Sequence, residues 1–196
     1  MKTIVLASNS GHKIKEVSQI MQDYKIVSLK DIGFFDDIVE DGLSFEENAL
    51  IKARAAHKFL KDNNINAFVI ADDSGLCVQA LNNEPGIYSA RYSGDHNEPK
   101  NREKLLNNLK NKTDRSAFFM CAMAVVDPNG NENIFFGKTE GSILTVETGN
   151  TSFGYDCLFF SNDLNKCFGL CSDDEKNLVS HRGRALEQVK QFLIKQ

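Results

Sequence analysis

The chain has 196 residues, 41% hydrophobic and 26% charged, with a net charge of -4. This length and composition suit one globular domain with a real core and exclude a disordered chain. The acidic balance argues against nucleic acid as a partner, because a phosphate backbone rewards basic surfaces, and no apolar run approaches a membrane span.

The N-terminus carries one Lys and then a short strand-like run, with no small-residue cleavage site, so no signal peptide is expected. Five cysteines, Cys77, Cys121, Cys157, Cys167 and Cys171, are odd in number and lack CxxC spacing. They read as reduced, mostly buried thiols of a cytoplasmic protein.

Lys2–Ala7 is β-branched and apolar and predicts a strand; His12–Met21 has helical period, with Ile14, Val17, Ile20 and Met21 on one face. Between them lies Ser8-Asn9-Ser10-Gly11, a small polar loop at a helix N-terminus. Such a loop suits a phosphate, although it lacks the Walker pattern. Lys13 sits in the first turn, where the helix dipole disfavours a cation; beside a candidate anion loop that placement suits phosphate binding as well as it suits an ordinary solvated Lys.

Lys25–Leu29 predicts a second strand, and residues 30–43 are irregular and acidic. Ser44-Phe-Glu-Glu47 is a capping box opening a helix whose apolar stripe is Ala49, Ala53, Ala56 and Leu60. Asn48 and Lys52, four apart on an adjacent face, can point at one place.

Phe68–Ala71 reads as a buried strand running straight into Asp72, Asp73, Ser74 and Gly75. Paired carboxylates after a buried strand are costly unless compensated, and α/β proteins gather ligands at strand carboxyl ends. An acidic turn is the competing reading, since Asp-Ser-Gly is ordinary turn chemistry. Residues 76–81 are extended or helical, and 82–86 form a turn. Arg91, between Tyr88 and Tyr92, suits a structural role stacked on rings more than a substrate contact.

Glu98–Lys110 predicts a helix with Leu105, Leu106 and Leu109 inward. Ser116–Val126 predicts a long strand, Asp127-Pro-Asn-Gly130 a hairpin turn, Glu132–Thr139 its return, and Gly141–Glu147 a further strand. Thr148–Gly154 is a polar loop leading to Tyr155–Phe160. Ser172–Glu175 is a second capping box, opening a short helix with Lys176. The last helix starts near Ser180, with the stripe Ala185, Leu186, Val189, Phe192 and Leu193. Its first turn holds His181, Arg182 and Arg184, a local rule broken without evident structural gain.

A βαβ-like start and an antiparallel middle give an α/β fold with a mixed sheet in a single domain over 1–196. Chemically the scattered groups agree. Glu40, Asp72 and Asp73 suit Mg²⁺, which takes one or two carboxylates plus phosphate oxygens. Lys13, Lys52 and Lys176 suit a polyphosphate, Phe153 a stacked base, and Asp156, His181 and Arg182 its hydrogen-bonding edges. Together they suit metal-assisted attack of water on a nucleotide phosphate.

With these residues in view, the chain resembles the inosine triphosphate pyrophosphatase family, also called dITP/XTP pyrophosphatases. The resemblance rests on six motifs in one order: Ala-Ser8-Asn-Ser-Gly-His-Lys13-x-x-Glu16, Glu40-x-Gly-x-Ser-Phe-x-Glu47-Asn48-Ala-x-x-Lys52-Ala, Ala-Asp72-Asp73-Ser74-Gly75-Leu, Pro85-Gly-Ile-Tyr-Ser-Ala-Arg91-Tyr-Ser-Gly94, Phe153-Gly-Tyr-Asp156 and Ser180-His181-Arg182-Gly183-x-Ala-Leu. It implies an elongated mixed sheet with helices packed around it, an active-site cleft between two lobes, and a homodimer. The implied reaction is Mg²⁺-dependent hydrolysis of ITP, dITP or XTP to the monophosphate and pyrophosphate.

By position, the resemblance implies Asp73 as proton acceptor and metal carboxylate and Glu40 as a second metal carboxylate. It implies Ser8, Asn9, Ser10, Lys13, Lys52 and Ser74 as triphosphate contacts. Phe153, Gly154, Tyr155, Asp156, Lys176, His181 and Arg182 become the nucleotide pocket, with Arg182, donor-only, reading the oxygen at purine position 6. Two residues depart from the family's common pattern: Ser10 stands where Asn is usual, and Cys157 where Pro is usual. A non-catalytic nucleotide-binding module and a general phosphatase releasing orthophosphate are the alternatives.

Overall fold

The computed structural model describes residues 2–150 and 153–196; the predicted loop over 148–154 therefore lies partly, at Thr151 and Ser152, outside the described residues. The strands are β1 (Lys2–Leu6), β2 (Tyr24–Val27), β3 (Phe68–Val78), β4 (Ser116–Val126), β5 (Glu132–Ile143), β6 (Phe159–Ser161) and β7 (Lys166–Cys167). The helices are α1 (Gly11–Ile20), α2 (Phe45–Asp62), α3 (Glu98–Asn108), α4 (Asp173–Val179) and α5 (His181–Leu193). The strands form one mixed sheet in the order β2-β1-β3-β4-β5-β6-β7. β1 pairs in parallel with β2 and β3, and β6 pairs antiparallel with β5 and β7.

The chain divides into two compact units, one of Met1–Asp73, Cys121–Gly137 and Arg182–Gln196, the other of Ser74–Met120 and Lys138–His181. In the first, strand alternation sorts the core into two layers. Val5, Ala7, Val69, Ala71, Ala122 and Ala124 face one way and pack with the α2 stripe Ala49, Ala53, Ala56 and Leu60. Ile4, Leu6, Ile70, Cys121, Met123 and Val125 face the other way, against Val17 and Met21 and the α5 residues Ala185, Leu186, Val189 and Leu193. Burial on both faces explains why these strands read as unbroken apolar runs. Phe192, expected inward with the α5 stripe, is only partly buried.

In the second unit the core is aromatic. Phe159 packs on Phe119 at 4.7 Å and on Phe168 at 5.0 Å between ring centroids. Leu76, Leu105, Leu109 and Leu158 close around them.

Three boundaries differ from the sequence reading. β3 does not end at Ala71 but runs on through both aspartates to Val78, so the acidic-turn reading fails. The two pieces expected over Glu132–Thr139 and Gly141–Glu147 join into one strand, β5, which ends at Ile143, so residues 144–147 are not strand. Gly141 is no break, because a Cβ there would lie 2.1 Å from the Phe160 carbonyl oxygen of β6. At the start of α2, Ser44 accepts the Glu47 N–H at 3.1 Å, but the Glu47 carboxylate accepts from Leu43, at 2.6 Å, so the box closes one residue early. The second box, Ser172 with Glu175, closes as expected.

The segment entering the Phe153 turn is pinned by backbone contact. Thr148 N–H donates to the Cys157 carbonyl at 2.8 Å, and Asn150 N–H to the Gly169 carbonyl at 3.2 Å. Gly149, at φ 92°, has room for no side chain, because a Cβ would fall 2.0 Å from Gly169 O. Gly149→Ala is therefore expected to cost about 1–3 kcal/mol by urea denaturation. Gly11→Ala, where nothing lies within 4 Å of the added carbon, should change stability by less than about 1 kcal/mol.

Candidate active site

The loop after β1 is organised by its own side chains. Ser8 Oγ accepts the Ser10 N–H at 3.1 Å, and Ser10 Oγ caps α1 by accepting the Lys13 N–H at 3.5 Å. Asn9 Oδ1 accepts the Lys30 N–H at 3.1 Å. Ser10 thus does the capping work that Asn would also do. Beside the loop is a cavity of about 290 Å³ whose polar lining includes Ser8, Asn9, Ser10, Lys13, Glu40 and Lys52. Six expected site residues from three separate stretches therefore meet in the first unit.

Asp72 and Asp73 are neighbours in β3, so their side chains leave on opposite faces of the strand. Asp73 follows Val69 and Ala71 toward α2. Its Oδ2 accepts from Asn48 Nδ2 at 3.3 Å and its Oδ1 from Lys52 Nζ at 3.2 Å. Asn48 in turn accepts the Gly42 N–H at 2.9 Å, and Lys52 also donates to Glu40 Oε2 at 2.7 Å. Asn48 and Lys52 do point at one place, as their spacing predicted.

Asp72 follows Ile70 toward α1 and α5. Lys13 ion-pairs with Asp72 Oδ1, and Arg182 grips Asp72 Oδ2 from Nε at 3.0 Å and Nη2 at 2.8 Å. Arg182 Nη1 pairs with Glu16. The buried Cys121 thiol lies 3.8 Å from Asp72 Oδ2.

These surroundings drive the two carboxyls apart. Burial raises the Asp72 pKa, but Arg182, Lys13 and Lys52 outweigh it and hold the group well below the ordinary value. For Asp73 burial prevails over Lys52 and Lys13, with Glu40 and Asp72 adding repulsion, so its pKa is raised. Two titratable neighbours pushed in opposite directions are the usual mark of divided chemical roles. Burial lowers the Lys52 pKa, but Asp73 and Glu40 more than restore it, so that cation stays charged.

Glu40 Oε2 and Asp73 Oδ1 converge on the Lys52 ammonium. Mg²⁺ takes one or two carboxylates and completes its shell with water and phosphate oxygens, so this pair fits it. Among the described residues no three His, Cys, Asp or Glu groups form an all-protein metal cage.

The remaining expected site residues lie in the second unit. Lys176 Nζ donates to Asp156 Oδ2 at 2.6 Å, both side chains being buried, and the same ammonium lies 5.8 Å from the Phe153 ring centroid. Tyr155 donates its hydroxyl to the Ser89 carbonyl at 2.8 Å, a structural tie. His181 is buried and stacked on Phe119 at 4.8 Å. Ser74 is half-buried next to Asp73. Arg91 lies over the Tyr88 ring at 5.3 Å, the structural role its two flanking tyrosines suggested.

Sequence reasoning listed Arg182 for the base edge, whereas the structure commits three of its nitrogens to Asp72 and Glu16. Glu16 stood in a quoted motif without a role; its three-residue spacing from Lys13 on α1 was the available signal. Asn48 had a direction but no partner. Nothing local pointed to Arg102 of α3, whose Nη1 donates to the Gly154 carbonyl at 3.0 Å.

The chain has relatives along nearly its whole length. The Ham1 family model matches residues 4–192. A dITP/XTP pyrophosphatase of Clostridium perfringens is 48% identical, covering 98% of each chain. One of Staphylococcus aureus is 43% identical over 98% of this chain and 97% of its own. Among solved structures, the Staphylococcus aureus Ham1 protein superposes with a TM-score of 0.87 at 42% identity, covering 99% of both chains. A HAM1 protein from Coxiella burnetii gives 0.88 at 36% identity over 100% of both. A capped polar loop, a split aspartate pair and near-complete matches in sequence and structure lead to one conclusion: this chain belongs to the Ham1 family.

Proposed function

We propose that the protein hydrolyses the non-standard purine triphosphates dITP, XTP and ITP to the nucleoside monophosphate and pyrophosphate. The observation that carries the reading is the divided aspartate pair, with Asp73 raised in pKa beside a cavity lined by Ser8–Ser10, Lys13 and Lys52. The relatives named dITP/XTP pyrophosphatase support the substrate class.

In this reading Ser8, Asn9, Ser10, Lys13, Lys52 and Ser74 hold the triphosphate. Water attacks the α-phosphorus, the bond to the bridging oxygen of the β-phosphate breaks, and pyrophosphate leaves. Asp73, the more basic carboxylate, accepts the water's proton. Lys13 and Lys52 stabilise the charge that develops on the leaving group. Glu40 and Asp73 would hold Mg²⁺, which when bound supplies Lewis-acid neutralisation of the phosphate oxygens.

The base goes to Phe153, Gly154, Tyr155, Asp156, Lys176 and His181. Lys176 is donor-only, so it can bond the oxygen at purine position 6 but not the amino group of adenine. An unpaired buried donor costs about 1–3 kcal/mol, enough to discriminate. Arg182 serves the site through Asp72. A homodimer and a cytoplasmic location, the latter supported by five free cysteines, belong to the same proposal.

The direct test is product release from ITP, dITP, XTP, ATP and GTP with and without Mg²⁺. Fast pyrophosphate release from the first three only, lost without metal, is expected. Orthophosphate would favour the general phosphatase, and tight binding without product the binding module.

The two aspartates should respond oppositely to amidation. Asp73→Asn is expected to lower kcat by about 10²–10⁴-fold without loss of stability, since burial penalises the charge it removes. Asp72→Asn leaves Arg182 with Glu16 as its remaining carboxylate and takes the anion from Lys13, and should cost about 3–5 kcal/mol in urea denaturation. The linkage has a definite sign. Stability from Asp72 is complete above the ordinary 3.8 and is lost as pH falls toward its depressed folded value.

In a pH–rate profile the acid limb of kcat/KM should lie above 3.8, because the raised Asp73 must ionise before it can accept a proton. A limb at or below 3.8 would move the base role to another group.

A further inference from the structure

The turn assigned to the base has to be held in shape, and the group that holds it lies outside every motif. Gly154 sits at φ 59°, in the left-handed region. Against its carbonyl lies Arg102 of α3, 5% exposed. Arg102 Nη1 donates to Gly154 O at 3.0 Å, Nε donates to Glu147 Oε1 at 2.8 Å, and Glu98 Oε2 is 3.9 Å from Nη1. One side chain therefore ties α3, the segment after β5 and the Phe153–Asp156 turn together. A buried guanidinium is costly unless its charge and donors are met, and these partners meet them.

Cys157 belongs to the same cluster. Its thiol is pushed up to about 11, by burial first and by Glu147 in addition, so it stays neutral.

We propose that Arg102 is a positioning residue for nucleobase binding, holding the Phe153–Asp156 turn through the Gly154 carbonyl. The proposal rests on the assignment of the base to this turn. Arg102 does not touch the substrate. Its loss should loosen the grip on the purine and leave the phosphate chemistry of Asp73, Lys13 and Lys52 intact.

The test compares Arg102→Met, Arg102→Lys and Glu147→Gln with the parent enzyme. The readouts are steady-state kinetics on ITP and inhibition by two products, inosine monophosphate, which carries the base, and pyrophosphate, which does not. Arg102→Met is expected to raise KM for ITP and the inhibition constant of the monophosphate by about tenfold. The same variant should leave kcat and the pyrophosphate constant within about twofold. Arg102→Lys keeps the charge but not the fork that spans two partners, so it should fall between. Glu147→Gln, at a half-exposed side chain, should move the same constants in the same direction by less.

A merely structural Arg102 would weaken both products together or lower kcat, and either result overturns the proposal, as do unchanged constants. If Arg102→Met does not fold, Glu147→Gln and Arg102→Lys decide by the same criteria. If the parent enzyme does not hydrolyse ITP, the proposed function fails. Calorimetric binding of inosine monophosphate then still reads Arg102: about tenfold weaker binding in the variants supports the clamp, and equal binding sinks it.

Discussion

Everything in the first unit depends on the period of a β-strand. Adjacent residues of β3 must face opposite sides, so two consecutive aspartates cannot share an environment. Asp73 is delivered to the α2 side, where one ammonium is divided between it and Glu40. Asp72 is delivered to the side of α1 and α5, where it is enclosed by Lys13 and Arg182. One carboxylate becomes a fixed anion that places cations, and the other keeps a basicity that chemistry can use. A shift of register by one residue would exchange the two environments.

This arrangement explains the broken rule at the start of α5. Cations in the first turn of a helix oppose its dipole, at a cost of a few tenths to about 1 kcal/mol. Arg182 is held there by two carboxylates, the buried Asp72 and the half-buried Glu16. The broken rule therefore marks a charge network, in which Arg182 is held by Asp72 and Glu16. Arg182 and Lys13 are paired with the same anion, so the start of α1 and the start of α5 are electrostatically joined through Asp72.

Local features were legible in the chain. The α2 stripe, the Ser172 box, the limits of β4 and the convergence of Asn48 with Lys52 are legible locally, because each involves residues a turn or a few apart or one unbroken apolar run. The candidate site was legible as a set of residue types through its motifs. Contacts between distant stretches were not. Arg182 meets Asp72 across 110 positions and Arg102 meets Gly154 across 52, and no periodicity spans such gaps. Gly141 misled for a related reason: a glycine looks like a break until the strand crowding it is known.

The separation of Asp72 from Arg182 also orders events during synthesis. Ribosomes deliver Glu16, Asp72 and Lys13 long before Arg182 exists, and α5 also supplies Ala185, Leu186, Val189 and Leu193 to one core layer. A nascent chain that already displays the Ser8–Gly11 loop and both aspartates has Lys13 for Asp72 but still lacks the Arg182 guanidinium and the helix that carries it. The machinery is thus incomplete in every growing chain. Docking of α5 completes the charge network and the core layer together, so an unfinished copy holds Asp72 by Lys13 alone.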